Sequence, residues 1–499
     1  MAKPKSSLDD RFEQMEARLN ASEARVRHLE AHRANLNREI KRLREHNAVL
    51  QEKVRELTVR LNQDSSNSSK PPSSDVPWKQ RRKQKPTGRD PGGQPGREGK
   101  TRKPLPPDEV DRTIVVLPEV CAGCRSTLRP EDVAGEPFRH QVIEIPPVVA
   151  EVIEYVLHAL MCRRCGEITA ADLPEGVPNQ CAGPRLQAIL SLLTARFRVT
   201  RREARDLVVA LFGEKATVSE GTVSNLEQRT SEAIKPAYDE ALDAIQNADL
   251  VHCDETGWRE GNDRAWLWAA VTPMLKVFRI DPRRNREAFR KLLFAFEGFL
   301  VTDRFSVYRA HDTRKRQLCW AHLIRNFLGL EERGGKARSL GVAGQQIVKD
   351  VFREWYRFRE GEITRRTLRR RLKPIRRRLE RLLRRHLSNP VPAARKIAKD
   401  LREYGAALWT FAKVEGVEPT NNAAERAVRK GVLWRKGSFG SHSADGSRFA
   451  ERMLTVSESL RAQGRSILGF LEGSILACLK EIRSPSLLAQ GGTCSSQPA

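Results

Sequence analysis

Between residues 248 and 303 the chain alternates apolar runs and breaks in an order that few folds accommodate. The run from Ala248 to Cys253 reads as a buried strand and ends on Asp254 in VHCDETGW. Two more strand-like runs follow, Ala265 to Thr272 and Leu275 to Ile280, and then a helical stretch from Asn285 to Phe296. Gly298 to Thr302 is a short apolar strand that delivers Asp303 in FLVTDRFSVY. The order is strand, strand, strand, helix, strand, with one aspartate on the first strand and another just past the last. A third acid, Glu425 in PTNNAAERAVRKG, lies far downstream. The settings matter more than the number, because 63 acidic residues allow many triplets by chance. In-line attack on a phosphodiester needs divalent ions held by hard oxygen ligands, and three carboxylates are a typical minimum.

That strand order is the signature of an RNase H-like α/β core. The chain also resembles the DDE transposases of bacterial insertion-sequence family sixty-six. The resemblance runs through Asp254-Glu-Thr256, Thr302-Asp303 with Tyr308, Cys319-Trp-Ala-His322 followed by Arg325, Asn421-Asn422-x-x-Glu425-Arg426 and Trp434-Arg-Lys-Gly437. It extends to Asn67-Ser-Ser-Lys-Pro-Pro-Ser-Ser-Asp75 and to paired Cys-x-x-Cys motifs. It implies that Asp254, Asp303 and Glu425 hold Mg²⁺ or Mn²⁺ and that Cys319, Trp320 and His322 support the active site. For Glu425 the local sequence leaves two readings open, a catalytic ligand or an i,i+4 partner of Arg429, and the resemblance decides for catalysis. Trp320 is read either as a base-stacking ring or as a buried one.

A formal charge of +27 favours a polyanionic partner, since each neutralised phosphate releases counterions. No run of about 18 apolar residues spans a bilayer and the amino terminus lacks a signal-peptide core, so the expected location is cytoplasmic, with no membrane partner. Nine cysteines without an export signal point to reduced thiols and metal. Cys121-x-x-Cys124 and Cys162-x-x-Cys165 form two knuckles, and a strand hairpin between them is expected to gather four thiolates around a structural Zn²⁺.

Stepping alternately by four and three from Leu8 traces a heptad seam through Phe12, Met15, Leu19, Ser22, Val26, Leu29, Arg33, Leu36, Ile40, Leu43, Asn47, Leu50, Val54, Leu57 and Leu61, with leucine dominating one set of positions and the polar Asn47 among the other. This pattern favours a parallel two-stranded coiled coil, hence a homodimer. Further along, Thr200-Arg-Arg-Glu203 is a capping box, Gly213 ends that helix and Ser219 caps the next. The second helix presents Thr222, Ser224, Asn225, Gln228 and Arg229, a helix-turn-helix-like arrangement for base edges, although no tight three-residue turn is visible. Between Asp303 and Glu425 lies a helical insertion in which Leu368, Leu372, Ile375, Leu379 and Leu382 recur amid eleven arginines, with few acids nearby. Contact with DNA is favoured there over a merely solvated face. Arg435, Lys436 and Arg448 are placed as phosphate ligands near the cut.

The expected fold class is multidomain α+β. A coiled coil occupies 8–62, a basic Pro/Gly/Ser-rich linker 63–112 with the Lys79 to Lys85 cluster, a zinc-binding module 113–182 and helix-turn-helix-like helices 183–245. The core follows over 246–312 and 416–485, interrupted by the insertion 313–415, and 486–499 is a disordered tail. The expected activity is metal-dependent cleavage at the ends of an insertion sequence and strand transfer to target DNA, with element-encoded accessory proteins as further partners by the family resemblance. A non-enzymatic zinc-containing DNA-binding regulator and an RNase H-like nuclease without strand transfer are the alternatives.

Overall fold

The computed structural model describes residues 8–61 and 102–488. The linker up to residue 101, with its Lys79 to Lys85 cluster, and the tail beyond residue 488 lie outside the described residues. In chain order the elements are α1 (Leu8–Leu61), β1 (Ala159–Met161), β2 (Ile168–Ala170), α2 (Pro184–Leu192), α3 (Arg201–Phe212), α4 (Glu220–Ala233) and α5 (Lys235–Gln246). Then come β3 (Leu250–Glu260), β4 (Asp263–Val271), β5 (Lys276–Asp281), α6 (Arg286–Leu292), β6 (Phe299–Thr302) and β7 (Arg316–Leu318). Helices close the chain: α7 (Trp320–Glu332), α8 (Gly335–Arg359), α9 (Arg365–Arg385), α10 (Pro392–Glu403), α11 (Asn422–Ser438), α12 (Ala444–Ala462) and α13 (Ile467–Leu479). They divide into two compact units, one of α1 with α7–α10 and the other of everything else.

The second unit is built on a five-stranded sheet of order β5-β4-β3-β6-β7. β3, β4 and β5 form an antiparallel meander, while β6 and β7 run parallel to β3. The β3–β4 turn is tight because Gly261, at φ +57°, takes the left-handed first position of a two-residue hairpin loop. Strand alternation then sorts side chains onto two faces. Trp268 and Ala270 of β4 join Val251, Cys253, Leu300 and Tyr308 on one face, packed by α5, α6, α12 and α13. Leu267, Ala269 and Val271 join Trp258, Phe278 and Ile280 on the other, packed by Ala424, Ala427 and Val428 of α11. Gly431 lets α11 approach this closely, since a Cβ there would lie 2.0 Å from Leu267 Cδ2.

The edge strand β5 is closed by a helix rather than by another strand. Ser459, Thr455 and Glu451, one turn apart on α12, accept hydrogen bonds from the backbone N–H groups of Lys276, Phe278 and Ile280 at 3.0, 3.0 and 2.8 Å. A row of donors that would otherwise recruit a foreign strand is thereby satisfied. Burial pushes the Glu451 carboxyl up from 4.5 to about 7, against the lowering influence of Arg448 and the Ile280 N–H. A carboxyl raised in the folded state holds its proton there, so its contribution is fully present below about pH 4.5 and erodes as pH rises to about 7. We expect Glu451→Gln to lack this slope. Wild type should lose on the order of 3 kcal/mol relative to the variant across that window. Denaturant midpoints of the two proteins at pH 4.5 and pH 8 measure it; a constant difference removes Glu451 as the cause.

In the first unit, Leu368, Leu372, Ile375, Leu379 and Leu383 of α9 are buried. The last is Leu383, not the Leu382 expected from the sequence, because a straight helix of 3.6 residues per turn drifts out of a strict four-three repeat. The arginines are also better partnered than expected. Buried Asp350 and Glu354 of α8 pair with Arg378 and, at 3.3 Å, with Arg371. The long helix α1 exposes its seam, with Met15 62%, Leu36 47% and Leu43 61% accessible.

Candidate active site and zinc knuckles

Asp254 sits mid-strand on β3, on the face covered by α11, and Asp303 is the first residue after β6. His252 is the register partner of Val301, and continuing that parallel ladder by two residues sets Asp254 beside Asp303. Asn421 fixes the third acid. Fully buried, it donates from Nδ2 to the Cys253 carbonyl at 2.8 Å, accepts at Oδ1 from His252 Nδ1 at 3.2 Å and donates its backbone N–H to Cys319 Sγ at 3.2 Å. This pins the start of α11 to β3 one residue before Asp254. Glu425 follows one turn later, its N–H donating to the Asn421 carbonyl at 3.1 Å. Burial, then the charges of Glu255, Asp303 and Glu425, push the Asp254 carboxyl well above the ordinary carboxylate range. Carboxylates that repel one another in a desolvated site suit a divalent cation, which relieves the repulsion and takes oxygen ligands.

Behind this set lies a network to which the sequence reading assigned no role. Glu255 points to the opposite face of β3 from Asp254. There it accepts a short hydrogen bond from the Tyr308 hydroxyl and pairs with Arg284 at 2.6 Å. The Arg284 guanidinium is stacked between Trp266, 4.7 Å from its ring centre, and Phe305, 4.1 Å away. Arg316, with no exposed surface, donates to Thr302 Oγ1 and to the Asp303 carbonyl, each at 3.0 Å. Tyr308 and Phe305 belong to the loop that carries Asp303, so these contacts tie that loop to β3. The available signal was the adjacent Asp254-Glu255 pair, since consecutive strand residues face opposite ways and a second buried acid needs its own cation. Tyr308→Phe should slow cleavage about 10- to 100-fold and raise the Mn²⁺ concentration for half-maximal rate, with DNA affinity unchanged. An unaltered metal titration would reduce the tie to a packing contact.

On α4, capped by Ser219, Asn225, Gln228 and Arg229 are exposed and Thr222 and Ser224 half-buried. Arg229 donates to Asn179 Oδ1 at 2.9 Å. Seven residues, 213–219, separate α3 from α4, so the connection is longer than the tight turn of a helix-turn-helix. Arg435 donates to the Gly257 carbonyl, Lys436 is exposed, and Arg448 is engaged by Glu451 at 2.8 Å and by the Ile280 carbonyl at 3.1 Å. Trp320 is fully buried, which closes the base-stacking reading; Cys319 is buried beside Asn421, and His322 is half-buried on the first turn of α7.

The two cysteine pairs adopt the same turn. In each, the first Cys N–H bonds the carbonyl five residues on, Ser126 at 2.9 Å or Glu167 at 2.7 Å. The residue four positions on returns its N–H to that Cys carbonyl at 2.9 Å and is left-handed: Arg125 at φ 60°, Gly166 at φ 77°. Each knuckle tips its own small hairpin, closed by the Val120–Thr127 bridge or by β1 and β2, rather than sharing one hairpin between them as the sequence suggested. Among the described residues the four sulfurs do not lie in one cluster within 4.8 Å. Their chemistry nevertheless suits a thiophilic metal. A hydrogen bond from the Ser126 side chain, with help from its backbone, brings the Cys124 thiol down to about 7, and backbone N–H groups of Cys165 and Arg164 lower Cys162.

The Transposase IS66 family matches residues 207–448, the segment holding all three carboxylates, and the zinc-finger binding domain of transposase IS66 matches residues 118–166, the segment holding both knuckles. The chain belongs to the IS66 transposase family. Residues 8–103 match a further family of unknown function. Relatives of this IS66-family chain include two proteins of Sinorhizobium fredii (strain NBRC 101917 / NGR234), both described as uncharacterized. Protein y4hP is 26% identical over 407 residues, covering 73% of this chain and 72% of its own length. Protein y4qI is 24% identical over 293 residues, covering 48% and 49%. Among the described residues no helix is long and apolar enough to cross a membrane.

Proposed function

We propose that this chain moves an insertion sequence by cutting DNA at the element ends and joining the freed 3′ ends to a target, from an RNase H-like core. What supports this is the register of β3 with β6, which sets Asp254 beside Asp303, together with the charges of Asp303 and Glu425 felt at Asp254, each acid being carried by a different element of the IS66-matched segment. The strand order β5-β4-β3-β6-β7, with the first three antiparallel and the last two parallel to β3, supports the RNase H-like assignment.

Asp254, Asp303 and Glu425 would hold two Mg²⁺ or Mn²⁺ ions. When bound, such ions supply an activated water and stabilise the departing 3′ oxygen. The chain's own residues do the positioning. Asn421 holds α11 against β3, Arg316 orients the Asp303 peptide, and the Arg284–Glu255–Tyr308 network keeps the Asp303 loop on β3. No side chain need become a covalent nucleophile, because water and then a DNA hydroxyl attack phosphorus directly. The zinc module and the polar face of α4 are assigned to DNA recognition. The exposed seam of α1 is assigned to a coiled coil between two copies, which would hold two element ends in one assembly.

Incubation of the protein with Mn²⁺ and DNA bearing the element's ends tests the reading. Free 3′-hydroxyl ends at the element boundary and joined products are expected. Cutting without joining would make the protein a nuclease, and binding without cutting a regulator.

A further inference from the structure

We propose that α9 is a track for the phosphate backbone of double-stranded DNA, bound without regard to sequence. The proposal rests on the reading of DNA as this protein's substrate and adds a second surface to it, on the helical unit.

The structure sets apart two groups among the cationic residues of α9. Arg371 and Arg378 flank the buried Leu/Ile face and are occupied by Glu354 and Asp350 of α8. They belong to the packing of the unit. Arg366, Arg370, Lys373, Arg377, Arg381 and Arg384 recur at spacings of four, three, four, four and three residues. At 100° per residue they fall within about 80° of the helix circumference, diametrically opposite Leu372, Ile375 and Leu379. All six are exposed, and among the described residues none has a carboxylate partner. The single acid on this helix, Glu380, lies at the margin of the stripe and is taken by Arg376 at 3.0 Å.

Six like charges in a row about 27 Å long repel one another, and the one acid on α9, Glu380, is taken by Arg376 outside the stripe. A polyanion relieves the repulsion. Duplex DNA carries a charge every ~1.7 Å of its axis, so a cationic helix face lying along the backbone meets several phosphates and releases their counterions. The stripe holds no Asn, Gln, Ser or Thr that could pair with base edges, and five of its six members are arginines, which fork onto phosphate oxygens. Such a face positions DNA but does not select sequence. It suits target or flanking DNA, which offers no fixed sequence to read.

The test uses the full-length chain carrying Asp254→Asn, so that no strand is cut, titrated onto a duplex of arbitrary sequence over a range of KCl concentrations. Arg370→Gln, Arg377→Gln and Arg381→Gln are combined in one variant, and the three corresponding Lys substitutions in another. The slope of log affinity against log salt should become shallower by about 2.7 in the Gln variant, at ~0.9 per lost phosphate contact, and equally so on duplexes with and without element ends. The Lys variant should keep the parent slope, which separates loss of charge from loss of fold. A parent that binds DNA while the Gln variant shows the same slope and affinity overturns the proposal alone. So does a Gln variant that loses only binding to anionic phospholipid vesicles. A parent that binds no DNA overturns the transposase reading itself.

Discussion

Asp254→Asn and Glu425→Gln should each lower end cleavage at least about 10³-fold, about 4 kcal/mol of barrier, while leaving DNA binding intact. Each substitution keeps the size of the side chain and removes one anionic oxygen donor from the candidate metal site. Glu255, the nearest other acid, is turned to the opposite face of β3 and occupied by Arg284 and Tyr308. The amide at position 254 should also remove the repulsion that raises the carboxyl there, so the variant fold is expected to be at least as stable as wild type. Cleavage of end-containing DNA in Mn²⁺, read beside a gel-shift on the same DNA and a thermal melt, separates the three quantities. Undiminished cutting by either variant would falsify its place among the metal ligands.

The zinc module should depend on its metal as heavily as the active site depends on its acids. Val115, Val116, Phe138 and Ile145 are 77%, 85%, 93% and 79% exposed, so residues 113–160 bury little apolar surface of their own. A segment with so small a core takes its cohesion from metal, and structural Zn²⁺ contributes on the order of 10 kcal/mol in comparable small modules. Cys162→Ser, or a strong chelator, should release about one zinc per chain and unfold this segment. Recognition of element ends should fall with it, while α2–α5 and the sheet keep their cooperative transition. Zinc released per chain, proteolysis of residues 113–182 and a melt of the remainder report these separately. A purified chain without zinc but with ordered, protease-resistant knuckles would remove the metal from the module.

The sequence reading found β4 to β6 because their runs are apolar, but of β3 it found only the apolar start: the strand continues past Asp254 to Glu260, where pairing with β4 rather than an apolar pattern holds it. Caps were legible as well. Thr200, Gly213 and Ser219 each act on backbone groups only a few residues away. β7 was not legible, since Arg316-Gln317-Leu318 has no apolar pattern. It is a strand because Thr302 and the Asp303 carbonyl hold its arginine and residues 407–411 cover its edge. Asn421 looked like a local helix start. Its partners, Cys253 and Cys319, are 168 and 102 residues away and invisible to any local rule. The same holds for Arg371 and Arg378, whose acids lie on the preceding helix.

By itself, then, the sequence determined the apolar strands, the capped helices, the candidate carboxylates with their local settings, the cysteine knuckles and the cationic helix, all of which depend on period, spacing and charge along the chain. Only the tertiary structure decided which acid faces the site and which is consumed behind it, which arginines pack and which face outward, and what clamps α11 to β3. Those choices depend on sheet register and on contacts between different elements, 17 positions apart for Arg371 and Glu354 and 168 for Asn421 and Cys253, and a local pattern carries no record of either.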